Sequence, residues 1–284
     1  MLEIRNLDKK YGSKRIISIN QLKIDNGAIV GFFGENGSGK STLFKCITNL
    51  VNYKGDVLLD GVNIKEKETI EKVGALIESP AFYNFLTARD NISYFIDQED
   101  RIEYYLKKLN IFQNYNDKVK KYSLGMKQKL AIALAITKGT SLIILDEPYN
   151  GLDIKSVKVL NKMLLQEKDK GKIVLISSHN LKTLNEICDY SYYISKTTVT
   201  KIENSKNGTR LFMAEFLDSD KALAAFRNLS VEYEVNQIEN VVYIKLTASD
   251  LKNDLDYELQ GLDCVALTDV TEDYNSVMES GLLW

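Results

Sequence analysis

The feature that most constrains this chain is a glycine-rich stretch, Gly34-Glu35-Asn36-Gly37-Ser38-Gly39-Lys40-Ser41-Thr42, which fits the pattern G-x-x-x-x-G-K-[ST]. It follows an apolar run over residues 28–33, which predicts a buried strand, and precedes residues 43–50, which predict a helix. Glycines in this setting let backbone N–H groups approach a polyphosphate. We therefore predict a phosphate loop with the candidate residues Gly34, Asn36, Gly37, Ser38, Gly39, Lys40, Ser41 and Thr42.

Two side chains of this loop have specific predicted roles. The ammonium of Lys40 is expected to reach the β- and γ-phosphates of a nucleotide, and the hydroxyl of Ser41 is expected to hold Mg²⁺. The positive end of the following helix favours the same anion. The motif therefore predicts a nucleoside triphosphate and Mg²⁺ as ligands.

The composition is that of an ordinary globular protein. The 284 residues are 44% hydrophobic and 27% charged, with a formal net charge of −2. Balanced charge gives no general attraction for polyanions, so nucleic acid is not an expected partner. No apolar run approaches the roughly 18 residues that cross a bilayer, and no signal peptide is predicted. Cys46, Cys188 and Cys264 have no metal-ligand spacing and are expected to be free buried thiols.

A second candidate feature is an apolar run, Ser141 to Leu145, that is followed by two carboxylates. A continuous apolar run is typical of a buried parallel strand, and ligands bind at the carboxyl ends of such strands. Asp146 is therefore a candidate Mg²⁺ ligand, and Glu147 is a candidate general base for the attacking water. The run alone could equally be a strand before an acidic turn, but the phosphate loop favours the functional interpretation.

The segment shortly before this strand is Tyr122-Ser123-Leu124-Gly125-Met126-Lys127-Gln128-Lys129. It resembles the signature motif of the ABC ATPases, whose usual form is Leu-Ser-Gly-Gly-Gln. Ser123 and Gly125 match that form, whereas Leu124 and Met126 depart from it. A serine and a glycine at a helix N-terminus can bind a second phosphate group, although a serine there is also a common helix cap.

Three further residues resemble family positions, and the resemblance covers roughly residues 1–204. Asp153, in Asn150-Gly151-Leu152-Asp153, is similar to the acidic residue of the D-loop. His179 resembles the switch histidine, which contacts the γ-phosphate, and Tyr11 resembles the aromatic residue that stacks on adenine. The resemblance implies an Mg²⁺-dependent ATPase whose hydrolysis is coupled to transport.

One position departs from the usual family pattern. Glu78 follows the predicted strand 73–77, where the family usually has a glutamine close to Mg²⁺ and the attacking water. A carboxylate adds a charge beside the metal and a second possible base, so Glu78 is a candidate catalytic and metal-binding residue. A tolerated substitution is the alternative. This glutamate and its surroundings resemble the ATPases of bacitracin-type and lantibiotic-immunity exporters.

The fold class predicted from these features is α/β, with two domains. Residues 1–204 are expected to form an ABC ATPase domain with a mixed sheet and a helical subdomain at about residues 84–138. Residues 209–284 are expected to form a small α+β accessory domain. Its predicted order βαββαβ suggests a ferredoxin-like arrangement, with strands at 210–216, 231–235, 241–246 and 263–270, helices at 219–228 and 248–258, and a last helix at 272–282.

The resemblance also implies partners and a location. The nucleotide site is expected to close between two chains, as a homodimer or as a heterodimer with a related ATPase, when ATP binds. A separately encoded transmembrane permease is the expected membrane partner, which places the chain peripherally at the cytoplasmic face, and we expect it to be soluble when expressed alone. The expected activity is export of a peptide antibiotic or a similar amphiphile. A soluble ABC-type ATPase acting on nucleic acid or ribosomes, an inactive regulatory subunit, and an exporter of a non-peptide substrate are the alternatives.

Overall fold

A computed structural model describes residues 1–96, 99–195 and 197–203, together with four strands in the later part of the chain. The chain divides into two compact units, Met1–Glu203 and Asn204–Trp284. The strands of the first unit are β1 (Leu2–Tyr11), β2 (Lys14–Ile24), β3 (Ile29–Phe33), β4 (Lys54–Leu59), β5 (Val62–Asn63), β6 (Val73–Leu76), β7 (Leu142–Leu145), β8 (Ile173–Ser178), β9 (Tyr190–Ser195) and β10 (Thr198–Glu203). Its helices are α1 (Lys40–Ile47), α2 (Lys67–Ile70), α3 (Ala88–Ser93), α4 (Glu99–Lys108), α5 (Leu124–Lys138), α6 (Ile154–Asp169) and α7 (Leu181–Asn185).

A six-stranded sheet forms the centre of the first unit, in the order β10-β9-β3-β8-β7-β6. Strands β9, β3, β8, β7 and β6 are parallel to their neighbours, and only β10 pairs antiparallel, with β9. Every residue of β3, β7 and β8 is buried, which explains their continuous apolar sequences. Because β3, β7 and β8 run in parallel, the segments that follow them emerge at one edge of the sheet.

A second sheet, in the order β2-β1-β4-β5, is antiparallel throughout. Its buried face joins the central sheet in one hydrophobic core, which includes Leu2 and Ile4 of β1 and Phe32 of β3. Helix α1 lies in the same core, where the rings of Phe44 and Phe32 meet edge to face with centroids 5.4 Å apart. The helix that carries the phosphate loop is therefore anchored by apolar packing on its buried side.

The helical region is more divided than its apolar spacing predicts. It contains α3, α4 and two short 3₁₀ turns, Phe112–Asn114 and Val119–Lys121, before α5 begins. Thr87 caps α3 through a reciprocal pair of hydrogen bonds with Asp90. The apolar residues at helical spacing in α4 and directly after it are all buried: Ile102, Tyr105, Leu106 and Leu109. This face packs the helix against the rest of the first unit.

The helix after the phosphate loop begins at Lys40 rather than near residue 43, where the sequence predicts it. Three polar residues, Lys40, Ser41 and Thr42, open its first turn, where apolar periodicity gives no signal. Helix α5 begins at Leu124, within the signature-like segment.

The described strands of the second unit are β11 (Arg210–Phe216), β12 (Glu232–Asn236), β13 (Val241–Leu246) and β14 (Cys264–Asp269). They form an antiparallel sheet in the order β12-β13-β11-β14, which is the strand order of a ferredoxin-like unit. The three helices predicted for this unit lie outside the described residues.

The architecture confirms the predicted α/β class, with a mixed central sheet, a helical region and a second unit built on an antiparallel sheet. Among the residues that the structure describes, no helix is both long and apolar enough to cross a membrane.

Candidate active site

The phosphate loop, residues 34–42, connects the end of β3 to the first turn of α1. Gly34, Gly37 and Gly39 have φ angles of 153°, 83° and 113°, a region that side-chain-bearing residues rarely adopt. A Cβ atom on Gly34 would lie 2.5 Å from the carbonyl oxygen of Ile194. Gly39 is the N-cap of α1 and provides no side-chain hydrogen bond, so the first N–H groups of the helix face outward for a ligand.

Lys40 is buried at the start of α1. Its Nζ donates hydrogen bonds to the carbonyl oxygens of Gly34, at 2.6 Å, and Glu35, at 3.0 Å, so the ammonium is held across the mouth of its own loop. Burial lowers the pKa of Lys40, and the nearby carboxylates of Glu147 and Asp146 partly oppose that shift. Among the described residues, the buried hydroxyl of Ser38 has no hydrogen-bond partner. An ammonium, an unpartnered hydroxyl and an uncapped helix terminus together fit a polyphosphate.

One serine contacts both acidic residues that follow β7, Asp146 through its carboxylate and Glu147 through its backbone N–H. The hydroxyl of Ser177, on neighbouring β8, donates to Oδ1 of buried Asp146 and accepts a hydrogen bond of 2.8 Å from the backbone N–H of Glu147. Glu147 has a φ of 46°, and this left-handed turn directs its side chain away from the strand. Asp146 and Glu147 therefore occupy fixed positions at the sheet edge beside the phosphate loop.

His179 lies at the end of the next strand and faces the same carboxylate. Its Nδ1 is 3.1 Å from Oε2 of Glu147. The imidazole is largely exposed, whereas the side chain of Glu147 is mostly buried. The histidine can thus orient the carboxylate while its remaining ring nitrogen faces outward, which is the arrangement that a base and its orienting partner require.

Glu78 approaches this cluster through its backbone. Its N–H donates a hydrogen bond of 3.2 Å to Oδ2 of Asp146, and its φ of 62° is left-handed. Its carboxylate forms an ion pair with Lys45 of α1, and this pair raises the pKa of Lys45. The structure thus links Glu78 to Asp146 by the main chain and to the helix of the phosphate loop by the side chain.

The signature-like segment packs against the D-loop. Ser123 caps α5 by accepting from the N–H of Met126 at 3.2 Å. A Cβ atom on Gly125 would lie 2.7 Å from the carbonyl oxygen of Gly151, so the two backbones are in close contact. Asp153 forms an ion pair with Lys129 at 3.3 Å. The pKa of Asp153 is lowered to about 2, chiefly because its carboxylate accepts a hydrogen bond from the backbone N–H of Ser156.

These residues are not joined to the phosphate loop within one chain. Across residues 1–96 and 99–195, no hydrogen bond or ion pair connects Ser123, Gly125 or Asp153 with residues 34–42. The structure therefore separates the predicted site residues into two groups: one around the phosphate loop and one around the signature-like segment.

Tyr11, the predicted adenine-stacking residue, is the last residue of β1. The residue is half exposed. It lies within electrostatic range of the Lys45 ammonium, which is on α1, the helix that begins at the phosphate loop.

The positions predicted to bind Mg²⁺ fit a metal that depends on a nucleotide. Within the described part of the chain, no group of three or more His, Cys, Asp or Glu side chains is arranged to hold a metal ion. Mg²⁺ commonly uses one or two protein oxygens together with substrate phosphates and water. The Ser41 hydroxyl and the Asp146 carboxylate supply such a partial set.

Three residues that contact the site were not among the candidate site residues predicted from the sequence. Ser177 bridges Asp146 and Glu147, Lys45 pairs with Glu78, and the buried amide of Gln128 donates to the carbonyl oxygens of Glu147 and Pro148 at 3.4 and 3.3 Å. Gln128 lies in the signature-like segment, and Ser177 lies two residues before His179. Proximity to predicted site residues was the signal that could have identified them, but their contacts depend on the packing of strands and helices.

Comparison with known proteins decides the family. The sequence pattern of the ABC transporter family matches residues 18–150. The lantibiotic transport ATP-binding protein SrtF of Streptococcus pyogenes is 33% identical over 225 residues, which are 76% of this chain and 98% of SrtF. This chain belongs to the ABC transporter ATP-binding proteins. The bacitracin transport ATP-binding protein BcrA of Bacillus licheniformis is 30% identical over 96% of this chain and 95% of BcrA.

A solved structure gives the same result for the fold. An ATP-binding subunit of an ABC transporter superposes with a TM-score of 0.66 at 26% identity, covering 71% of this chain and 89% of that chain. The ABC ATP-binding protein described here is therefore an ATPase that binds ATP, and the predicted resemblance to bacitracin and lantibiotic transport ATPases is confirmed. ATP-binding subunits of this family dimerise and work with membrane subunits.

Proposed function

We propose that this chain is the motor subunit of an exporter that moves a peptide antibiotic or a similar amphiphile through a separately encoded permease. The observation that carries this proposal is the match to BcrA, a bacitracin transport ATP-binding protein, over almost the full length of both chains. The similarity therefore extends beyond the part that the general family pattern covers, residues 18–150. SrtF, named for lantibiotic transport, supports the same substrate class.

The site geometry supports a defined division of roles. The phosphate-loop N–H groups and Lys40 bind the phosphates of ATP, and Tyr11 receives the adenine. Ser41 and Asp146 would hold Mg²⁺, with Glu78 as a further candidate ligand, and the metal would supply positive charge against the phosphates. Glu147 orients the attacking water and accepts its proton, and His179 fixes the Glu147 carboxylate.

The separation of the two residue groups supports closure between two chains. The signature-like segment and the D-loop contact each other, through Gly125 with Gly151 and Lys129 with Asp153, rather than the phosphate loop of the same chain. We propose that they complete the nucleotide site of a second ATPase chain when ATP is bound, either another copy or a related subunit. Hydrolysis then reopens the pair, and the permease converts this motion into export from the cytoplasmic face of the membrane.

The proposal is tested in the host organism by deleting the gene for this chain. The deletion is expected to raise susceptibility to bacitracin or to a lantibiotic, measured as the minimal inhibitory concentration. Complementation with the wild-type gene should restore resistance, whereas complementation with Glu147→Gln should not, because that variant keeps the site but loses the base.

Two controls separate transport from general damage. Susceptibility to an antibiotic that acts inside the cell should not change, and the Glu147→Gln chain must accumulate to the wild-type level. Unchanged susceptibility to every membrane-active peptide tested would contradict the peptide-export proposal while leaving the ATPase assignment intact.

A further inference from the structure

Lys9 of β1 is a buried lysine without a counter-charge. Only 6% of the residue is exposed. Among the residues that the structure describes, no carboxylate forms an ion pair with it, and neighbouring Asp8 pairs instead with Arg15 at 2.7 Å and Lys10 at 3.9 Å. A buried ammonium is costly unless its surroundings compensate the charge, so its actual partners are informative.

Lys9 has two partners, a carbonyl oxygen and an aromatic ring. Its Nζ donates a hydrogen bond of 2.8 Å to the backbone oxygen of Asn52. The same Nζ lies 4.2 Å from the centroid of the Tyr11 ring, well within the range of a cation–π interaction. Lys9 and Tyr11 are both on β1, and the pairing of β1 with β2 shifts register directly after Lys9. The ammonium therefore covers one face of the tyrosine ring.

The Tyr11 side chain is 49% exposed, although its neighbour Lys9 is buried. An exposed tyrosine at a strand end normally samples several rotamers. The ammonium restricts this freedom because the attraction requires the ring face to remain over Nζ. Tyr11 is also within electrostatic range of Lys45 on α1, the helix that begins at the phosphate loop.

We infer that Lys9 is a positioning residue for the nucleotide base. Its ammonium fixes the Tyr11 ring from behind, so that the opposite face is ready to stack on adenine. The inference rests on the proposed role of Tyr11 in the ATP site. A purely structural role is the alternative, in which Lys9 only ties the Asn52 segment to β1 through the 2.8 Å hydrogen bond.

The test compares a ligand that has a base with one that has none. The full chain is titrated by calorimetry with ADP and, separately, with inorganic tripolyphosphate, each with Mg²⁺. Lys9→Met removes the charge and the hydrogen bond, whereas Lys9→Gln removes the charge but keeps an N–H donor for Asn52. Lys10→Met is the matched control, since Lys10 is the adjacent, exposed lysine on the same strand.

We expect Lys9→Met and Lys9→Gln to weaken ADP binding about fivefold and to leave tripolyphosphate binding unchanged. Lys10→Met should change neither affinity. In a Tyr11→Ala background, Lys9→Gln should cause no further loss of ADP affinity, because the ring on which it acts is gone.

Three results would overturn the inference alone: unchanged ADP affinity in Lys9→Gln, an equal loss for both ligands, or a full loss that persists in the Tyr11→Ala background. If Lys9→Met does not fold, Lys9→Gln gives the same comparison. Failure of the wild-type chain to bind ADP at all would overturn the proposed function, and the inference with it.

Discussion

At the scale of single residues, the predicted catalytic centre depends on side chains that hold the reactive groups rather than on the reactive groups alone. Asp146 and Glu147 are adjacent in the chain, yet their carboxylates have different partners. Ser177 donates to the carboxylate of Asp146, and His179 contacts the carboxylate of Glu147. Gln128 fixes the backbone that follows Glu147. Precise placement of this kind matters for catalysis, since small displacements of a base or a metal ligand reduce rates strongly.

Ser177→Ala tests this dependence. The change removes the donor to the Asp146 carboxylate and the acceptor for the Glu147 backbone N–H, so the carboxylate of Asp146 and the backbone of Glu147 each lose a fixed partner. We expect ATP hydrolysis to fall about tenfold, while ATP binding without metal is retained. Ser191→Ala is the control, because the Ser191 hydroxyl is equally buried and has no hydrogen-bond partner in the described structure. Equal effects of the two substitutions would contradict the positioning role.

Glu78→Gln tests whether the unusual carboxylate contributes to hydrolysis. The substitution keeps the shape but removes the charge that pairs with Lys45, next to Asp146, the proposed metal ligand. We expect a hydrolysis rate lower by about threefold and a higher Mg²⁺ requirement. Glu71→Gln is the control, since Glu71 forms an exposed ion pair with Lys67 on the separate helix segment 67–71. If rate and metal dependence stay unchanged in Glu78→Gln, the glutamate is a tolerated substitution.

At the scale of elements, the helical region is tied to the central sheet by a buried charge. Glu167 of α6 is 1% exposed and accepts a hydrogen bond of 2.6 Å from the hydroxyl of Tyr105, on α4. Lys172, at the start of β8, pairs with the same carboxylate and donates to the carbonyl oxygen of Gly139 at 2.6 Å. One carboxylate thus connects α4, α6, the end of α5 and the central sheet.

Tyr105→Phe is expected to lower the free energy of unfolding by about 2 kcal/mol, because it removes a donor to a buried carboxylate without creating a cavity. Urea unfolding monitored by circular dichroism measures this. Tyr104→Phe is the control, since Tyr104 is exposed and its hydrogen bond to Gln166 is long, at 3.4 Å. Its effect should stay below about 0.5 kcal/mol. Similar losses in both variants would contradict the account.

This connection also has a pH dependence. Burial opposes ionisation of Glu167, but hydrogen bonds from Lys170, Lys172 and Tyr105 outweigh it and lower the pKa below the ordinary 4.5. A carboxylate whose pKa is lower in the folded chain than in the unfolded chain stabilises the fold at a pH above its unfolded-state pKa. It loses that contribution as the pH falls through its folded-state pKa. The difference in free energy of unfolding between wild type and Tyr105→Phe should therefore shrink below pH 4.5.

The same scale shows what sequence alone could predict. Strands β3 and β7 were predicted because fully buried parallel strands are continuously apolar, and the phosphate loop because its glycines have few alternatives. The start of α1 was predicted late because Gly39 begins the helix by its backbone geometry, which hydrophobic spacing does not reveal. Contacts between distant elements, such as Ser177 with Asp146 and Lys45 with Glu78, depend on the assembled sheet and leave no local signal.

At the scale of the whole molecule, one chain carries both residue groups that we propose for a nucleotide site. Among the described residues, no hydrogen bond or ion pair joins the two groups. The phosphate loop, Asp146, Glu147 and His179 lie at one sheet edge, and the signature-like segment with its D-loop contact is the proposed other half. A second chain is the proposed means of bringing the halves together around ATP.

The measurement that tests this account most directly is ATP-dependent dimerisation of Glu147→Gln, followed by light scattering with and without Mg-ATP. Loss of the base should trap the ATP-bound state, so we predict a dimer with Mg-ATP and a monomer without it. Ser123→Ala combined with Glu147→Gln should weaken that dimer. A Glu147→Gln chain that binds ATP yet stays monomeric at all concentrations tested would contradict closure by a second copy of this chain.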